Sequence, residues 1–156
     1  MAIRTIRTDE DPILRKKSRE VEKFDENLKN LIEDMKETMY EAQGVGLAAV
    51  QVGILKKAIV IDDYEGTKLE LINPIFKSRE GEVDGMEGCL SVPEKMGKIC
   101  RAEKVTIQYQ DLQGKKKNLE AEGFLARIIQ HEMDHLDGIL YTDKATEMYD
   151  VEKQGE

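Results

Sequence analysis

The feature that most constrains this chain is an apolar helical pattern that contains both of its histidines. We predict a helix that begins near Glu122 or Gly123, runs to about Leu136 and is ended by Gly138. Little of this helix is polar, because apolar side chains recur at spacings of one, three and four: Phe124, Leu125, Ile128, Ile129 and Met133. We therefore expect a central, buried helix with the rest of the chain packed around it.

The end of this helix carries a motif with metal-binding spacing. Residues 131–135 read H-E-M-D-H, and positions four apart lie on one helix face, so His131 and His135 can reach one cation. Glu132 projects beside that face, where a carboxylate can take a proton from water. The alternative is an exposed helix end with two incidental histidines. The apolar residues upstream favour the metal site.

A third metal ligand is not evident from the histidines. Catalytic zinc sites usually have three protein ligands, and no continuation typical of zinc proteases follows the motif. Cys89, in the stretch E-G-C-L-S, is a candidate thiolate, although the residues alone leave a structural role equally open. Cys100 is interpreted as a small packed side chain.

A glycine-containing segment, residues 44–51, has two alternative interpretations. Its sequence G-V-G-L-A-A-V-Q is small and apolar. Taken alone, it favours a helix cap followed by a tightly packed connection. The functional alternative is an extended stretch that a ligand approaches closely, with Gln51 donating a hydrogen bond into the site.

The remaining pattern predicts an α+β protein. A helix over residues 25–43 would be capped by Asp25, with Gly44 in the left-handed position beyond its end. Strands are expected over residues 57–62, 69–75 and 104–110, and a turn at 111–114 leads to a further segment over 115–120. We expect one domain, residues 1–156, in which short, mostly antiparallel strands surround the central helix and an N-terminal helix is added.

Composition limits the partners and the compartment. Thirty-two acidic residues against 24 basic ones give a net charge of −8, which disfavours DNA binding. No apolar run approaches the roughly 20 residues of a membrane span, so no membrane association is expected. The charged N-terminus does not resemble a signal peptide, and two cysteines make no disulfide framework. These features favour a cytoplasmic protein.

Three segments together resemble the peptide deformylase family. The family carries G-x-G-(L/I)-A-A-x-Q, E-G-C-L-S and H-E-x-D-H, which match residues 44–51, 87–91 and 131–135. The flanking residues 11–15 and 138–143 also resemble the family, so the resemblance runs from about residue 11 to 143. The short acidic tail after Asp143 departs from members with a longer C-terminal helix.

The resemblance implies a metal centre and its reaction. Cys89, His131 and His135 would bind one ion, with Fe(II) expected and zinc, nickel or cobalt as substitutes. Glu132 would be the general base and later the acid. The reaction would remove formate from the formyl-methionine of newly made proteins. Apart from the resemblance, the net charge of −8 and the acidic tail argue against strong affinity for ribosomal RNA, so only weak contact with the ribosome is expected.

The resemblance also implies which residues hold the substrate. Gln51 and the backbone N–H of Leu90 would stabilise the oxyanion. Gly44, Val45 and Gly46, together with Gly88, would contact the substrate, chiefly by pairing with its backbone like an added strand.

A separate hypothesis concerns the methionine side chain: Val45, Leu125 and Ile128 would form an apolar pocket for it. Two other functions are weighed against the deformylase. One is a metallopeptidase that shares only the H-E-x-x-H helix. The other is a catalytically silent, metal-stabilised peptide-binding module, which would need Glu132 or Gln51 replaced, and neither is replaced.

Overall fold

The computed structural model describes residues 2–151, which form two α-helices and eight strands. Residues 152–156 of the acidic tail lie outside this range. The helices are α1 (Glu26–Glu41) and α2 (Gly123–Leu136). The strands are β1 (Gly46–Ala48), β2 (Ala58–Asp62), β3 (Lys68–Glu80), β4 (Val83–Cys89), β5 (Val92–Arg101), β6 (Lys104–Gln110), β7 (Lys116–Glu122) and β8 (Glu147–Asp150).

The strands form two sheets, and every pair of neighbouring strands is antiparallel. One sheet has the order β1-β2-β3-β6-β7 and the other the order β4-β5-β8. Helix α2 packs against β1, β2, β6 and β7 of the larger sheet, so it occupies the centre of the molecule. The predicted α+β architecture is confirmed. Within residues 2–151, neither α-helix is long and apolar enough to cross a membrane.

Helix α1 begins as the sequence predicts but ends differently. The Asp25 side chain accepts a hydrogen bond from the Leu28 N–H and caps the first turn. At the other end the left-handed residue is Gln43, with φ 59°, and not Gly44. The Gly44 N–H donates to the Met39 carbonyl at 2.9 Å, which completes the turn. Gly44 instead leaves room for Leu90, whose Cδ1 would lie 2.6 Å from a Cβ at this position and would have to move.

Helix α2 has the predicted bounds, and Gly138 ends it with φ 76°. Ile128 and Ile129 are 4% and 0% exposed, in agreement with a central position. Phe124, however, is 49% exposed. The apolar pattern therefore overstates burial in the first turn, where Phe124 faces a cleft described below.

The smaller sheet was not predicted. Strands β4 and β5 form a hairpin, and β8 adds to the other edge of β5 within the tail that follows Asp143. This hairpin brings Cys89, at the end of β4, to the face of α2 that carries the histidines.

Candidate metal centre

Three side chains with metal-binding atoms converge at the end of β4 and on α2. A sulfur atom of Cys89 and ring nitrogens of His131 and His135 all lie within 4.8 Å of one another. The Cys89 Sγ is 3.4 Å from His135 Nε2. The structure therefore brings together all three residues expected to be ligands, including the cysteine whose role the residues alone left open.

The ring of His131 has a fixed orientation. Its Nδ1 lies 2.8 Å from Glu87 Oε1, and its ring stacks on Tyr141 with the centroids 5.8 Å apart. Because Nδ1 is engaged with a carboxylate, Nε2 is the atom left for a metal. A carboxylate on the far nitrogen is a common partner of a metal-binding histidine.

His135 is 1% exposed, and its Nδ1 has no hydrogen-bond partner among residues 2–151. Burial and the neighbouring His131 lower the pKa of His135 well below its usual value. This shift favours the neutral imidazole, which is the form that binds metal. One thiolate and two imidazoles fit a transition-metal ion such as zinc or iron.

Cys100 does not join this cluster. Its neighbours on β5, Ile99 and Arg101, are 1% and 5% exposed, whereas Cys100 itself is exposed. The interpretation of Cys100 as a packed side chain is wrong, because the alternation along β5 turns it outward.

A buried ion network supports the cluster. Glu87 accepts hydrogen bonds from Arg101 Nε and Nη2, both at 2.9 Å, and from Arg127 Nη1 at 2.6 Å. Burial opposes ionisation, but hydrogen bonds with His131 and Arg101 lower the pKa of Glu87 to about 2. Arg101 also donates to Asp134 at 2.6 Å. Sequence reasoning missed this network, because nothing in a local pattern distinguishes these charges from solvated ones.

Glu132 lies beside the cluster and is 4% exposed. Its Oε2 is 4.0 Å from His131 Nε2, and its Oε1 has no partner among the described residues. Burial raises the pKa of Glu132 to about 7. Glycine is required opposite it, since a Cβ on Gly46 would lie 2.7 Å from Glu132 Oε2.

The Gln51 side chain is buried with its amide oriented by the backbone. Its Oε1 accepts a hydrogen bond from the Ala48 N–H at 2.9 Å. Its Nε2 therefore faces Ser91 Oγ, at 3.0 Å, and Cys89 Sγ, at 3.7 Å. The N–H side of this amide points towards the presumed ligand Cys89.

Strand β1 is an edge strand with one side unpaired by the sheet. The Val45 carbonyl accepts from the Asp62 N–H at 2.9 Å, so its polar groups face β2. Those of Ala48 face the other way, since its N–H reaches Gln51. By the alternation of an antiparallel ladder, the N–H and carbonyl of Gly46 also face away from β2.

This outer edge of β1 borders a cavity of about 510 Å³. Leu125 is absent from the wall of the cavity and packs against the core instead. The prediction that Leu125 forms part of the methionine pocket is therefore wrong. Its neighbour Phe124 lines the cavity. The other predicted substrate contacts do border it. The wall includes Gly44, Val45, Gly46, Gln51, Met86, Gly88, Cys89, Leu90, Phe124, Arg127, Ile128, His131 and Glu132.

The fold and the site together define a class of protein. A cysteine and two histidines that could hold a metal lie beside a buried glutamate, at a cleft bordered by an exposed sheet edge. This arrangement is typical of metal-dependent hydrolases with an H-E-x-x-H helix.

Comparisons with known proteins identify the family. The polypeptide deformylase family model matches residues 3–150. A peptide deformylase of Caldicellulosiruptor bescii is 58% identical over 92% of this chain and 86% of its own length. The crystal structure of the Thermotoga maritima peptide deformylase is 42% identical, covering 94% of this chain and 100% of that one, with a TM-score of 0.91. A Legionella pneumophila peptide deformylase is 45% identical with a TM-score of 0.90, covering 93% of this chain and 87% of that one.

The chain therefore belongs to the peptide deformylase family, whose metal-dependent enzymes remove the N-formyl group from nascent peptides. The resemblance drawn from three short segments is confirmed over nearly the whole chain. Neither the metallopeptidase nor the silent binding module gains support from these comparisons.

Proposed function

We propose that this cleft hydrolyses the formyl amide of N-terminal formyl-methionine, with one metal ion held by Cys89, His131 and His135. The observation that carries the proposal is the convergence of these three side chains beside Glu132 and the free edge of β1. We also propose that residues 1–156 form one catalytic domain.

Fe(II) is the proposed ion, with zinc, nickel or cobalt as substitutes. The donor set of one thiolate and two imidazoles is compatible with all four. The resemblance to the family favours iron among them. When bound, a divalent ion lowers the pKa of water towards about 7 and polarises the formyl carbonyl.

Glu132 is the proposed general base. Its Oε1, which has no partner among the described residues, is available to accept a proton from the attacking water, and Glu132 borders the cavity that the substrate would enter. After the water has attacked the formyl carbon, the same carboxyl group returns the proton to the nitrogen of the leaving amine. Formate and a free α-amino group are the products.

Gln51 and Leu90 are proposed to stabilise the oxyanion that forms as water attacks. The hydrogen bond from the Ala48 N–H to Gln51 Oε1 fixes the Gln51 amide, so that its Nε2 donor faces Cys89. Leu90 follows the proposed ligand Cys89 directly and is one of the residues that line the cavity. Loss of one such donor typically raises the barrier by about 3–4 kcal/mol.

The substrate backbone is proposed to pair with the outer edge of β1. Gly46 presents its N–H and carbonyl away from β2, as strand addition requires. Gly44 and Gly88 border the same cavity. A Cβ on Gly88 would meet Lys95 O only at 3.6 Å, so the protein itself does not require glycine there. We infer that Gly88 leaves room for substrate.

The methionine side chain is proposed to occupy the apolar part of the cavity. Val45, Phe124 and Ile128 contribute to this wall, and Met86 is 45% exposed there. A flexible thioether suits an irregular apolar cavity of this kind.

The wider setting is also a proposal. We infer that the enzyme works in the cytoplasm on formyl-methionyl nascent peptides, without binding DNA or membranes. Its net charge of −8 supports only weak contact with the ribosome, whose RNA carries the same sign of charge.

The proposal is tested on anaerobically purified protein, by metal analysis and a formate-release assay with formyl-Met-Ala-Ser. We expect about one iron per chain and release of formate that stops on chelation and returns with Fe(II). The unformylated peptide Met-Ala-Ser is the control, which should remain intact. Cleavage of that peptide without formate release from the first would instead indicate a metallopeptidase.

A further inference from the structure

Tyr64, in the loop between β2 and β3, contacts the glycine segment that borders the cavity. Its hydroxyl donates a hydrogen bond to the Gly44 carbonyl at 3.0 Å. The Tyr64 backbone has φ 57°, a conformation that a bulky residue rarely adopts. A side chain held in such a loop conformation against a functional segment indicates a specific role for it.

Two further contacts fix Tyr64. Its N–H donates to Asp62 Oδ1 at 2.8 Å, and its ring packs edge-on against Tyr40 with the centroids 6.4 Å apart. The Tyr40 hydroxyl in turn donates to Asp62 Oδ2 at 2.7 Å. Asp62 is 5% exposed, so this carboxylate joins helix α1 to the loop in a buried position.

The glycine segment is held through two consecutive carbonyls, one bonded to the loop and the other to the last residue of β2. The Gly44 carbonyl is bonded to the Tyr64 hydroxyl, and the Val45 carbonyl to the Asp62 N–H at 2.9 Å. Residues 44 and 45 lie between the end of α1 and the start of β1. These two bonds, together with the bond from the Gly44 N–H to the Met39 carbonyl, fix the path of the segment and with it the direction in which Gly46 presents its polar groups.

We propose that Tyr64 is a positioning residue for substrate binding, because its hydroxyl fixes the Gly44 carbonyl and so aligns the Gly46 edge with the substrate backbone. This inference rests on the proposed pairing of the substrate with β1. Tyr64 lines no part of the cavity and contacts no presumed metal ligand among the described residues. Its effect is therefore expected in substrate binding and not in the chemical step.

The first test is Tyr64→Phe, which removes the hydroxyl and keeps the ring. We expect KM for formyl-Met-Ala-Ser to rise about threefold to tenfold, the loss typical of one hydrogen bond, while kcat stays within about twofold. Tyr40→Phe is the matched control. It also removes one tyrosine hydroxyl from the group formed by Tyr40, Asp62 and Tyr64, but it leaves the bond to the Gly44 carbonyl intact. Its KM should change less than twofold.

The second test is amide hydrogen exchange, which does not depend on activity. In Tyr64→Phe the Asp62 N–H, which is bonded to the Val45 carbonyl, should exchange about threefold to tenfold faster than in the wild type. In Tyr40→Phe the increase in its exchange rate should be smaller than in Tyr64→Phe. An unchanged KM, an unchanged exchange rate, or equal effects in the two variants would overturn the positioning role. Absence of formate release by the metal-loaded wild type would instead overturn the proposed function, while the exchange data still decide whether Tyr64 holds the segment.

Discussion

The Oε1 atom of Glu87 lies 2.8 Å from Nδ1 of His131, so the strand that ends in Cys89 is bonded to the helix that carries the histidines. Glu87 precedes Cys89 by two residues, and the arginines around it are themselves buried. One carboxylate thus sets both the orientation of one presumed ligand and the path of the strand that carries another. Removal of this carboxylate should therefore weaken metal binding more than substrate binding.

Glu87→Gln is therefore expected to weaken metal binding by about 10-fold to 100-fold, the usual effect of losing the hydrogen-bond partner of a ligand. The substitution also removes the charge that balances Arg101 and Arg127. Competition with a chromogenic chelator measures the metal dissociation constant. Asp84→Asn is the control, since Asp84 lies on the same strand with its side chain 60% exposed. Equal metal affinity in the wild type and Glu87→Gln would contradict the role of Glu87.

Glu132→Gln should keep the metal and lose turnover. Glutamine occupies the same volume but cannot accept the proton of the attacking water, and such a contribution is worth about 10²–10⁴-fold. Loss of the later acid step should add to this. Metal content by elemental analysis and kcat by formate release are the two measurements. Full activity in a metal-loaded variant would rule out Glu132 as the base.

Two glycines of the cleft should respond differently to alanine. A Cβ on Gly46 would lie within 3.0 Å of three Glu132 atoms, so Gly46→Ala must displace this carboxylate and should lower kcat at least tenfold. Gly88→Ala meets no atom closer than 3.6 Å and should mainly raise KM. Steady-state kinetics on the metal-loaded variants separate the two effects. A similar loss of kcat in Gly46→Ala and Gly88→Ala would show that displacement of Glu132 is not the cause of the lower kcat in Gly46→Ala.

The two cysteines should differ in how the metal protects them. If Cys89 is a ligand, an alkylating reagent should modify it slowly in metal-loaded protein and quickly after chelation. Cys100 is exposed and outside the cluster, so it should react at one rate in both states and serves as the internal control. Mass-spectrometric mapping gives both rates in one sample. Protection of Cys100 alone would exclude Cys89 as the third ligand.

The bond between Tyr40 and Asp62 should stabilise the fold only at intermediate pH. The hydrogen bond to Asp62, aided by burial, raises the pKa of Tyr40 to about 12, and it lowers the pKa of Asp62. A raised tyrosine pKa gives stability below the ordinary value of 10.0 that is lost as the pH rises towards 12. A lowered aspartate pKa gives stability above the ordinary value of 3.8 that is lost as the pH falls below it.

The measurement is the free energy of unfolding in urea for the wild type and Tyr40→Phe. The difference between the two proteins should be largest between about pH 5 and pH 9, and should shrink towards both extremes. A difference that stays constant with pH would show that the hydroxyl does not bond to the carboxylate.

Much of the fold could be predicted because its elements have local signatures. Helix α2 has the predicted bounds, and β6 covers the predicted residues 104–110. Strand β3 is longer than expected and runs to Glu80, because pairing with β6 extends it beyond its apolar part. The left-handed residue after α1 could not be assigned by composition. In an isolated helix, glycine is favoured at the left-handed position. Here Gln43 takes that position, and Gly44 is the next residue, where the absence of a side chain leaves room for Leu90.

The hairpin of β4 and β5 could not be predicted, because its cause is not local. Its strands contain charges and glycines without regular alternation, and the buried Glu87 is neutralised by Arg101 across the hairpin and by Arg127 on α2. The histidines of the site were evident from their spacing alone. Cys89 was identified only by the resemblance to a family, since its approach to His135 depends on this hairpin.

The distance along the chain between the presumed ligands has a consequence for biosynthesis. His131 is translated 42 residues after Cys89, which is an interval of roughly 2–8 s at ordinary elongation rates. During vectorial synthesis the thiol emerges first, without the imidazoles that would share a cation with it. A metal ion held by all three side chains can only be captured once α2 has left the exit tunnel and docked. Metal loading is therefore a late step in the biosynthesis of this enzyme. Until that step, the newly made chain cannot deformylate other nascent chains.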